Sequence, residues 1–482
     1  MMGVKNGDAR SGLSTAWGRL KWPVLLATVL LCLAAVVVAG MMPGLLSLPK
    51  PAASVPAWQQ EPDHLSKASG VLPLDANAPL PASAEVTALL DATLKPDGAG
   101  TISGVVMDAS TGKVLFDRDA SANRIPASNM KLLTAVAALK ALGPDTRFTT
   151  RVLGSDNPST VVLTGGGDVL LGASPSDPNA VMGRAGLASL AADTATALTA
   201  AGVKGPVTVQ VDDTLFSGAP LNPAWSLDDV AAGETAPLFS LALNSGRYSP
   251  TVMSGPRPQD SAVTTAQAFA EQLAAAGVAV GPGVERGKGL PTKVLAAAES
   301  ATVSEQVDLM LETSDNFLAE ALGRMTAAAS GKEATYDGAT AAVRQRLAEL
   351  GIATDSTQLA DVSGLALENQ VSARQFVEVV RAITSGPDLS LRTALDGFPV
   401  AGLTGTLDNR YVDASTAEGA GLVRAKTGTL NSVIALSGYV VDADGRLLVF
   451  SFIGNGLEPG AAGNKVAMDR AASGLASCGC RS

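Results

Sequence analysis

Two hairpin patterns, one near each end of the globular part of the chain, constrain the fold more than any other feature. Residues 101–107 and 113–116 are β-rich runs around Ala109-Ser110-Thr111-Gly112, and residues 432–441 and 446–453 bracket Asp442-Ala443-Asp444-Gly445. An isolated hairpin is marginal in water, and the economical way to bury these runs is a single antiparallel sheet built from both ends of the chain, with helices on its faces. Residues 463–476 read as a helix that closes it.

Directly after the first hairpin comes Pro126-Ala127-Ser128-Asn129-Met130-Lys131-Leu132-Leu133-Thr134. Apolar residues at helical spacing follow, through Val136 and Leu139 to Leu142, and Gly143 stops the run. Ser128 then stands at the start of a buried helix and Lys131, nearly one turn on, shares its face. A helix N-terminus carries partial positive charge and unpaired N–H groups, which suit an oxyanion forming on an acylated serine. Alone, Ser-x-x-Lys is better read as a serine cap on a lysine-bearing helix.

Composition narrows the chemistry. The only histidine of this 482-residue chain, His64, falls in a proline-rich stretch, and there are three cysteines. A Ser-His-Asp triad and a histidine-ligated metal site are therefore not expected, a cysteine-rich zinc cluster is excluded, and the base of a serine enzyme must be a lysine, a carboxylate or a terminal amine. Net charge is −10 with no basic stripe in the body, so nucleic acid is not an expected partner. Cys32 lies in an apolar run, while Cys478 and Cys480 leave a strained local bridge open in an oxidising compartment.

The length predicts more than one domain. Residues 1–21 are basic and are expected to be cytoplasmic. Residues 22–42 hold the uncharged run from Val24 to Met42, long enough to cross a bilayer as a helix, and the positive flank predicts that the remainder lies outside. A cleaved signal stays open at Val38-Ala39-Gly40. Residues 43–82 read as an extended proline-rich linker that holds the body off the membrane. The body starts near Ser83 with a capped helix. Between residues 147 and 297 the texture changes to short strands, glycine-rich turns such as Gly165-Gly166-Gly167-Asp168, and an alanine-rich helix over 187–201. This stretch reads as an inserted β-rich domain that splits the main domain into 83–146 and 298–482. Gly165 to Asp168 lacks the Gly-Lys-Ser/Thr of a phosphate loop and reads as a turn.

Two further motifs give Ser128 and Lys131 a context. Ser314-Asp315-Asn316 interrupts a helical pattern that runs over 304–311 and resumes over 317–327, which puts it on a tight connection between helices. An identical tripeptide, Ser155-Asp156-Asn157, precedes Pro158 between two strand-like runs and shows how readily these three residues arise by chance. Lys426-Thr427-Gly428-Thr429 stands just before the C-terminal hairpin, on a strand expected to face a cleft; read blandly, it is an edge strand with a surface lysine.

Ser-x-x-Lys, Ser-x-Asn and Lys-Thr-Gly in this order resemble the penicillin-recognising serine acyltransferases. The fuller run of residues 83–477 resembles their D-alanyl-D-alanine carboxypeptidase/endopeptidase branch, the low-molecular-mass class C penicillin-binding proteins. The likeness includes Gly165 to Asp168, Asp213-Thr214-Leu215-Phe216, Asp361-Val362-Ser363-Gly364-Leu365, Leu403-Thr404-Gly405-Thr406-Leu407 and Ala425-Lys426-Thr427-Gly428-Thr429. Two departures stand out: the interval from Ser128 to Ser314 is shorter than in relatives with two inserted domains, and Val169 replaces the usual proline.

The resemblance implies an α+β fold of the penicillin-binding-protein/β-lactamase type, an antiparallel sheet flanked by helices. It implies Ser128 as nucleophile on D-Ala-D-Ala-terminated peptidoglycan stem peptides, Lys131 as base and Ser314 as a proton relay that bridges Lys131 and Lys426. Asn316 would hold the substrate amide. Lys426, Thr427, Gly428 and Thr429 would form the strand that receives the terminal carboxylate, with Ser128 and Thr429 N–H groups as oxyanion hole. β-Lactams would acylate the same serine, and no cofactor or metal is called for. A free lysine titrates near pH ~10.4, so a half-neutral Lys131 at pH 7 requires roughly 4.6 kcal/mol of differential interaction, which burial and the Lys426 ammonium both supply in direction. A serine β-lactamase and a non-catalytic wall-binding protein are the alternatives.

Overall fold

Strands from the two ends of the chain lie side by side in a computed structural model, which describes residues 74–479 apart from 76 and 253. Helix α1 (Ser83–Thr93) leads into β1 (Ala99–Asp108), β2 (Val114–Arg118), the short β3 (Asn123–Arg124) and helix α2 (Met130–Leu142). The middle of the chain supplies β4 (Arg147–Gly154), β5 (Thr160–Thr164), α3 (Leu187–Ala200), β6 (Val207–Asp212) and α4 (Leu227–Ala232). Helix α5 (Ser261–Ala275), β7 (Val280–Arg286) and β8 (Val294–Thr302) complete it. Then come α6 (Val303–Thr313), α7 (Asn316–Ala329), α8 (Tyr336–Glu349), β9 (Val371–Ser372) and α9 (Ala373–Ser385). Strands β10 (Arg424–Leu430), β11 (Val433–Val441) and β12 (Leu447–Glu458) and helix α10 (Ala461–Ser477) follow.

The main sheet runs β10-β11-β12-β1-β2, and every pairing is antiparallel. Its central seam joins the first strand to the last, with Val106 opposite Phe450 and Gly104 opposite Phe452. Alternate residues of β1 go to opposite faces, as strand geometry demands. Val105 and Met107 join a core with α2, α6, α7, α8 and α9, while Ile102 and Val106 pack with α1 and α10. The result is three layers, helices on both faces of one sheet, with α2 at the centre of the larger core. Ten consecutive residues of α2, from Met130 to Leu139, are buried, and a helix covered on all sides is one wrapped by others.

A second five-stranded sheet, β7-β6-β5-β4-β8, is mixed: β5-β6 and β6-β7 are parallel and the other pairs antiparallel. Helices α3 and α5 cover it through Leu187, Leu190, Phe269 and Leu273. The segment between β6 and α5 does not join this sheet; it runs back to the first lobe, where Trp225 packs edge-on against Tyr336. Expected helix starts mostly hold, with one correction at α1. Ser83 is already helical, and the flanking Ala82, whose side chain is a methyl group, offers no side-chain cap; its carbonyl accepts the Glu85 and Val86 N–H groups as the first helical acceptor. The expected basic segment and membrane span, residues 1–42, lie outside the described residues, among which no helix is long and apolar enough to cross a membrane. Cys478 is disulfide-bonded; Cys480 lies outside the described residues.

One ion pair fastens the seam. The Arg446 guanidinium grips Asp108 in fork geometry, Nε to Oδ1 at 2.6 Å and Nη2 to Oδ2 at 2.8 Å, and Nη1 reaches the Ala78 carbonyl at 3.1 Å. Burial would raise the Asp108 carboxyl, but the bonds from Arg446 and Thr111 outweigh it and hold the group at about 2. A carboxyl depressed below its unfolded value contributes stability above about pH 4 and loses it as pH falls towards 2, here about 2 kcal/mol. Arg446→Met, which strands the buried carboxylate, is expected to lower the urea unfolding free energy by about 3–5 kcal/mol at pH 7. The gap from wild type should narrow on acidification, since a protonated Asp108 no longer needs its partner; a gap independent of pH would remove the pair from this role.

Candidate active site

The tight turn before α2 places Ser128. Residues Ala127–Asn129 form one turn of 3-10 helix, with Ala127 in the left-handed region at φ 48°. Two asparagine side chains set the turn onto the sheet. Asn129 Nδ2 donates to Ser437 Oγ on β11 at 2.6 Å, and Asn455 of β12 clamps Ile125 through its N–H at 2.8 Å and its carbonyl at 3.0 Å. Strand β10 lies against the same turn. A Cβ on Gly428 would stand 2.9 Å from the Pro126 carbonyl oxygen and 3.1 Å from the Ser128 nitrogen, so only glycine lets the strand approach this closely.

The second tripeptide sits where two helices meet. Helix α6 ends at Thr313, Ser314 takes the left-handed conformation at φ 60°, and Asp315 caps α7 by accepting the Leu318 N–H at 3.0 Å. Arg247, from the segment between β6 and α5, donates to Asp315 Oδ2 at 2.8 Å in a nearly dry pair, 8% and 3% exposed. Burial would raise the Asp315 carboxyl, but Arg247, the Leu318 N–H and Arg257 hold it below the usual carboxylate range. Arg257 in turn fixes the Gly233 and Ser245 carbonyls at 2.7 and 3.0 Å. By contrast, Ser155-Asp156-Asn157 forms a surface turn between β4 and β5 whose Ser155 hydroxyl bonds only within the tripeptide, to Asn157.

Ser128, Lys131, Ser314, Asn316 and Lys426 converge from four elements. Lys131 Nζ lies 3.0 Å from Ser128 Oγ, 2.6 Å from Asn316 Oδ1 and 2.7 Å from the Ser363 carbonyl oxygen. The last two can only accept, so a neutral Lys131 amine gives its two N–H groups to them and aims its lone pair at the Ser128 hydroxyl. Lys131 is fully buried, and burial lowers it to about 8 against the pull of Asp361, Asp315, Glu320 and Glu234. Lys426 Nζ donates to Ser314 Oγ and to the Thr427 carbonyl, both at 2.9 Å. Burial and the neighbouring Lys131 ammonium hold Lys426 well below the usual lysine range.

Ser314 therefore pairs with Lys426, and no bond joins it to Lys131 among the described residues. Asn316 turns both ends of its amide inward, Oδ1 to Lys131 and Nδ2 to the Glu234 carbonyl at 3.0 Å. Thr427 faces Thr406 with their hydroxyls 2.7 Å apart, Gly428 is buried, and Thr429 is exposed at the strand's open side.

Four features of the site carry no role in the sequence reading. The Ser363 carbonyl has no side-chain signature at all. Asp361 binds the N–H groups of Gly364 and Ala366 at 2.8 and 2.7 Å and the Trp225 indole N–H at 2.9 Å, shaping the turn that presents that carbonyl. Thr406 and the Arg247–Asp315 pair complete the set. Asp361 and Thr406 stand in matched runs, so likeness marked their places without saying what they touch.

A Ser-x-x-Lys helix buried against a five-stranded sheet, with a Ser-x-Asn turn on one side and a Lys-Thr-Gly strand on the other, defines a penicillin-recognising serine hydrolase. The profile of the D-Ala-D-Ala carboxypeptidase 3 (S13) family matches residues 86–265 and 255–475, and the chain belongs to that family. It is 36% identical to carboxypeptidase DacB of Mycolicibacterium smegmatis, over 85% of this chain and 88% of that protein. A D-alanyl-D-alanine carboxypeptidase of Actinomadura sp. strain R39 is 31% identical over 76% of this chain and 80% of its own length. The crystal structure of penicillin binding protein 4 (dacB) from Haemophilus influenzae superposes with a TM-score of 0.66 over 79% of this chain and 97% of that one; at 22% identity this shows the shared fold.

Gly428→Ala tests the close approach of β10. The added methyl must push the strand from the Ser128 nitrogen, and displacements of this order cost roughly ten- to hundredfold in rate. Acylation by labelled penicillin should slow by that factor with the thermal midpoint nearly unchanged; an unaltered rate would mean that the contact does not set the site.

Proposed function

We propose that Ser128 attacks the carbonyl between the two terminal D-alanines of a peptidoglycan stem peptide, releasing D-alanine and leaving an ester that water hydrolyses. That the enzyme is a D-Ala-D-Ala carboxypeptidase of the penicillin-binding serine peptidase type follows from its family. The observation that carries the assignment of roles is the set of atoms around Lys131 Nζ: of Ser128 Oγ, Asn316 Oδ1 and the Ser363 carbonyl oxygen, only Ser128 Oγ can donate.

On this reading Lys131 takes the Ser128 proton as the Oγ–carbon bond forms. The oxyanion lies between the N–H groups of Ser128 and Thr429, at a turn and a strand held together by Gly428. When the peptide bond breaks, Ser314 gives its proton to the leaving amine and is resupplied by Lys426. Asn316 orients the base and, once substrate enters, the peptide amide. Lys426, Thr427 and Thr429 receive the terminal carboxylate. β-Lactams acylate the same serine. Residues 147–297 form an inserted lobe of the catalytic domain. The enzyme works on the outer side of the cytoplasmic membrane, tethered by residues 22–42.

Labelled penicillin should form a lasting adduct that Ser128→Ala abolishes, because the retained ring fragment hinders the water. Adduct on the variant would remove Ser128 as nucleophile, and loss of wild-type adduct within seconds would favour the β-lactamase alternative.

Lys426→Met separates carboxylate recognition from a general effect on Lys131. If Lys426 pairs with the substrate's terminal carboxylate, kcat/KM should fall for the free-acid peptide by the roughly 2–5 kcal/mol seen when one partner of a buried charge pair is removed. A D-Ala-D-Ala amide should lose little more. Equal losses on both, with the pH optimum moved upward, would instead assign Lys426 to lowering Lys131.

A further inference from the structure

Glu320 is a buried acid that the steps above do not use. It lies four residues after Asn316 on α7, hence on the same face, and is 1% exposed. Its Oε1 accepts the backbone N–H groups of Val362 at 3.0 Å and Ser363 at 2.8 Å. These flank the peptide turn whose Ser363 carbonyl meets Lys131 Nζ at 2.7 Å. From the other side, Gly364 at φ 87° brings the turn onto Ala127, where a Cβ would stand 1.9 Å from the Ala127 carbonyl oxygen. Glu320 thus reaches Lys131 through one residue, Ser363.

The carboxyl is placed to be uncharged. Its Oε2 is buried and has no hydrogen-bond partner among the described residues. Beside it, Asp361 collects the Gly364, Ala366, Trp225 and Asn369 N–H groups, and the Ser363 hydroxyl, which also faces Glu320, donates to Asp361 at 3.2 Å. Of two adjoining buried carboxyls, the one with fewer donors takes the proton. The other groups facing Glu320 are Lys131 from α2 and Tyr336 from α8. Arg324, one turn along α7, points to the Ser217, Ala219 and Ala334 carbonyls and stacks over Tyr336. Burial and Asp361 push the Glu320 carboxyl up to about 8.

We infer that Glu320 is a positioning residue for Lys131: as a neutral acid it holds the 362–363 peptide so that the Ser363 carbonyl orients the amine towards Ser128. A neutral acid does this without adding an anion beside the base, which would favour the ammonium and keep the lone pair occupied. The inference rests on the reading of Lys131 as base.

The experiment follows acylation by labelled penicillin from pH 5.5 to 10 in full-length wild type, Glu320→Gln and Glu320→Ala, with thermal midpoints alongside. The acid limb of the rate reports Lys131 losing its proton. Below about pH 8, where the Glu320 carboxyl keeps its proton, glutamine preserves both the Oε1 acceptor and the uncharged state, so Glu320→Gln should stay within about threefold of wild type there with its acid limb in place. Glu320→Ala, which leaves two N–H groups unbonded, should acylate at least tenfold more slowly across the range. An ionised Glu320 would instead stabilise the Lys131 ammonium, and its replacement by glutamine would move the limb down by a pH unit or more; that shift overturns the inference. So does Glu320→Gln as slow as the alanine variant, or an alanine variant as fast as wild type. Should Glu320→Ala fail to fold, the position of the glutamine limb still decides. Lys131→Ala is the control: an acid limb that survives in it overturns the reading of Lys131 as base, whatever Glu320 does.

Discussion

The structure turns on the burial of one amine. Lys131 lies in a helix covered on every side, and removing an ammonium from water is what lowers it from the usual lysine range to about 8. Everything that surrounds α2 contributes: the sheet below, α6 to α9 around it, and the segment from the middle of the chain that carries Trp225, Glu234 and Arg247. Four carboxyls pull the other way, and their placement decides the outcome. Asp315 is neutralised by Arg247, Asp361 is saturated by backbone and side-chain donors, and Glu320 holds one oxygen without a hydrogen-bond partner among the described residues. The site therefore gathers acids around this amine without presenting it with four full negative charges.

That arrangement explains why the motifs are short and their spacing long. Ser128 and Lys131 are fixed relative to each other by one helical turn, which local sequence sets alone. The Ser-x-Asn turn and the Lys-Thr-Gly strand are fixed by tertiary contacts: Asn129 to Ser437, Asn455 to Ile125, Arg247 to Asp315. The seam between β1 and β12 carries the same role at larger scale, because it closes the sheet on which both the Ser128 turn and β10 rest.

Much of this was legible in the sequence. Both hairpins, the Ser128 helix with its Gly143 stop, the break at Ser314 and the closing helix announce themselves through period and turn residues, since those depend on local geometry. The distinction between the two Ser-Asp-Asn tripeptides was legible too, because only one interrupts a helical period. What stayed hidden depends on contacts between distant segments. A backbone carbonyl such as that of Ser363 leaves no mark in the residue string. Glu320 could be placed on the Asn316 face of its helix by spacing, but what it grips comes from a turn forty residues away. The second sheet was read as β-rich, yet nothing local showed that the chain between β6 and α5 leaves that sheet and returns to the catalytic lobe.

The two lysines raise a last question of charge. Lys131 has carboxyls on several sides, whereas Lys426 donates to a hydroxyl and a carbonyl and meets only the repulsion of Lys131. Burial and the neighbouring Lys131 both disfavour an ammonium on Lys426, so an anion beside it would favour the charged form. On the proposed reading, a substrate that brings a terminal carboxylate would supply that anion and favour the charged form of Lys426. That ammonium would in turn repel a proton on Lys131 and favour the free amine. Recognition of the peptide end and readiness of the base would then be coupled through one electrostatic contact, and a substrate without the carboxylate would forfeit both.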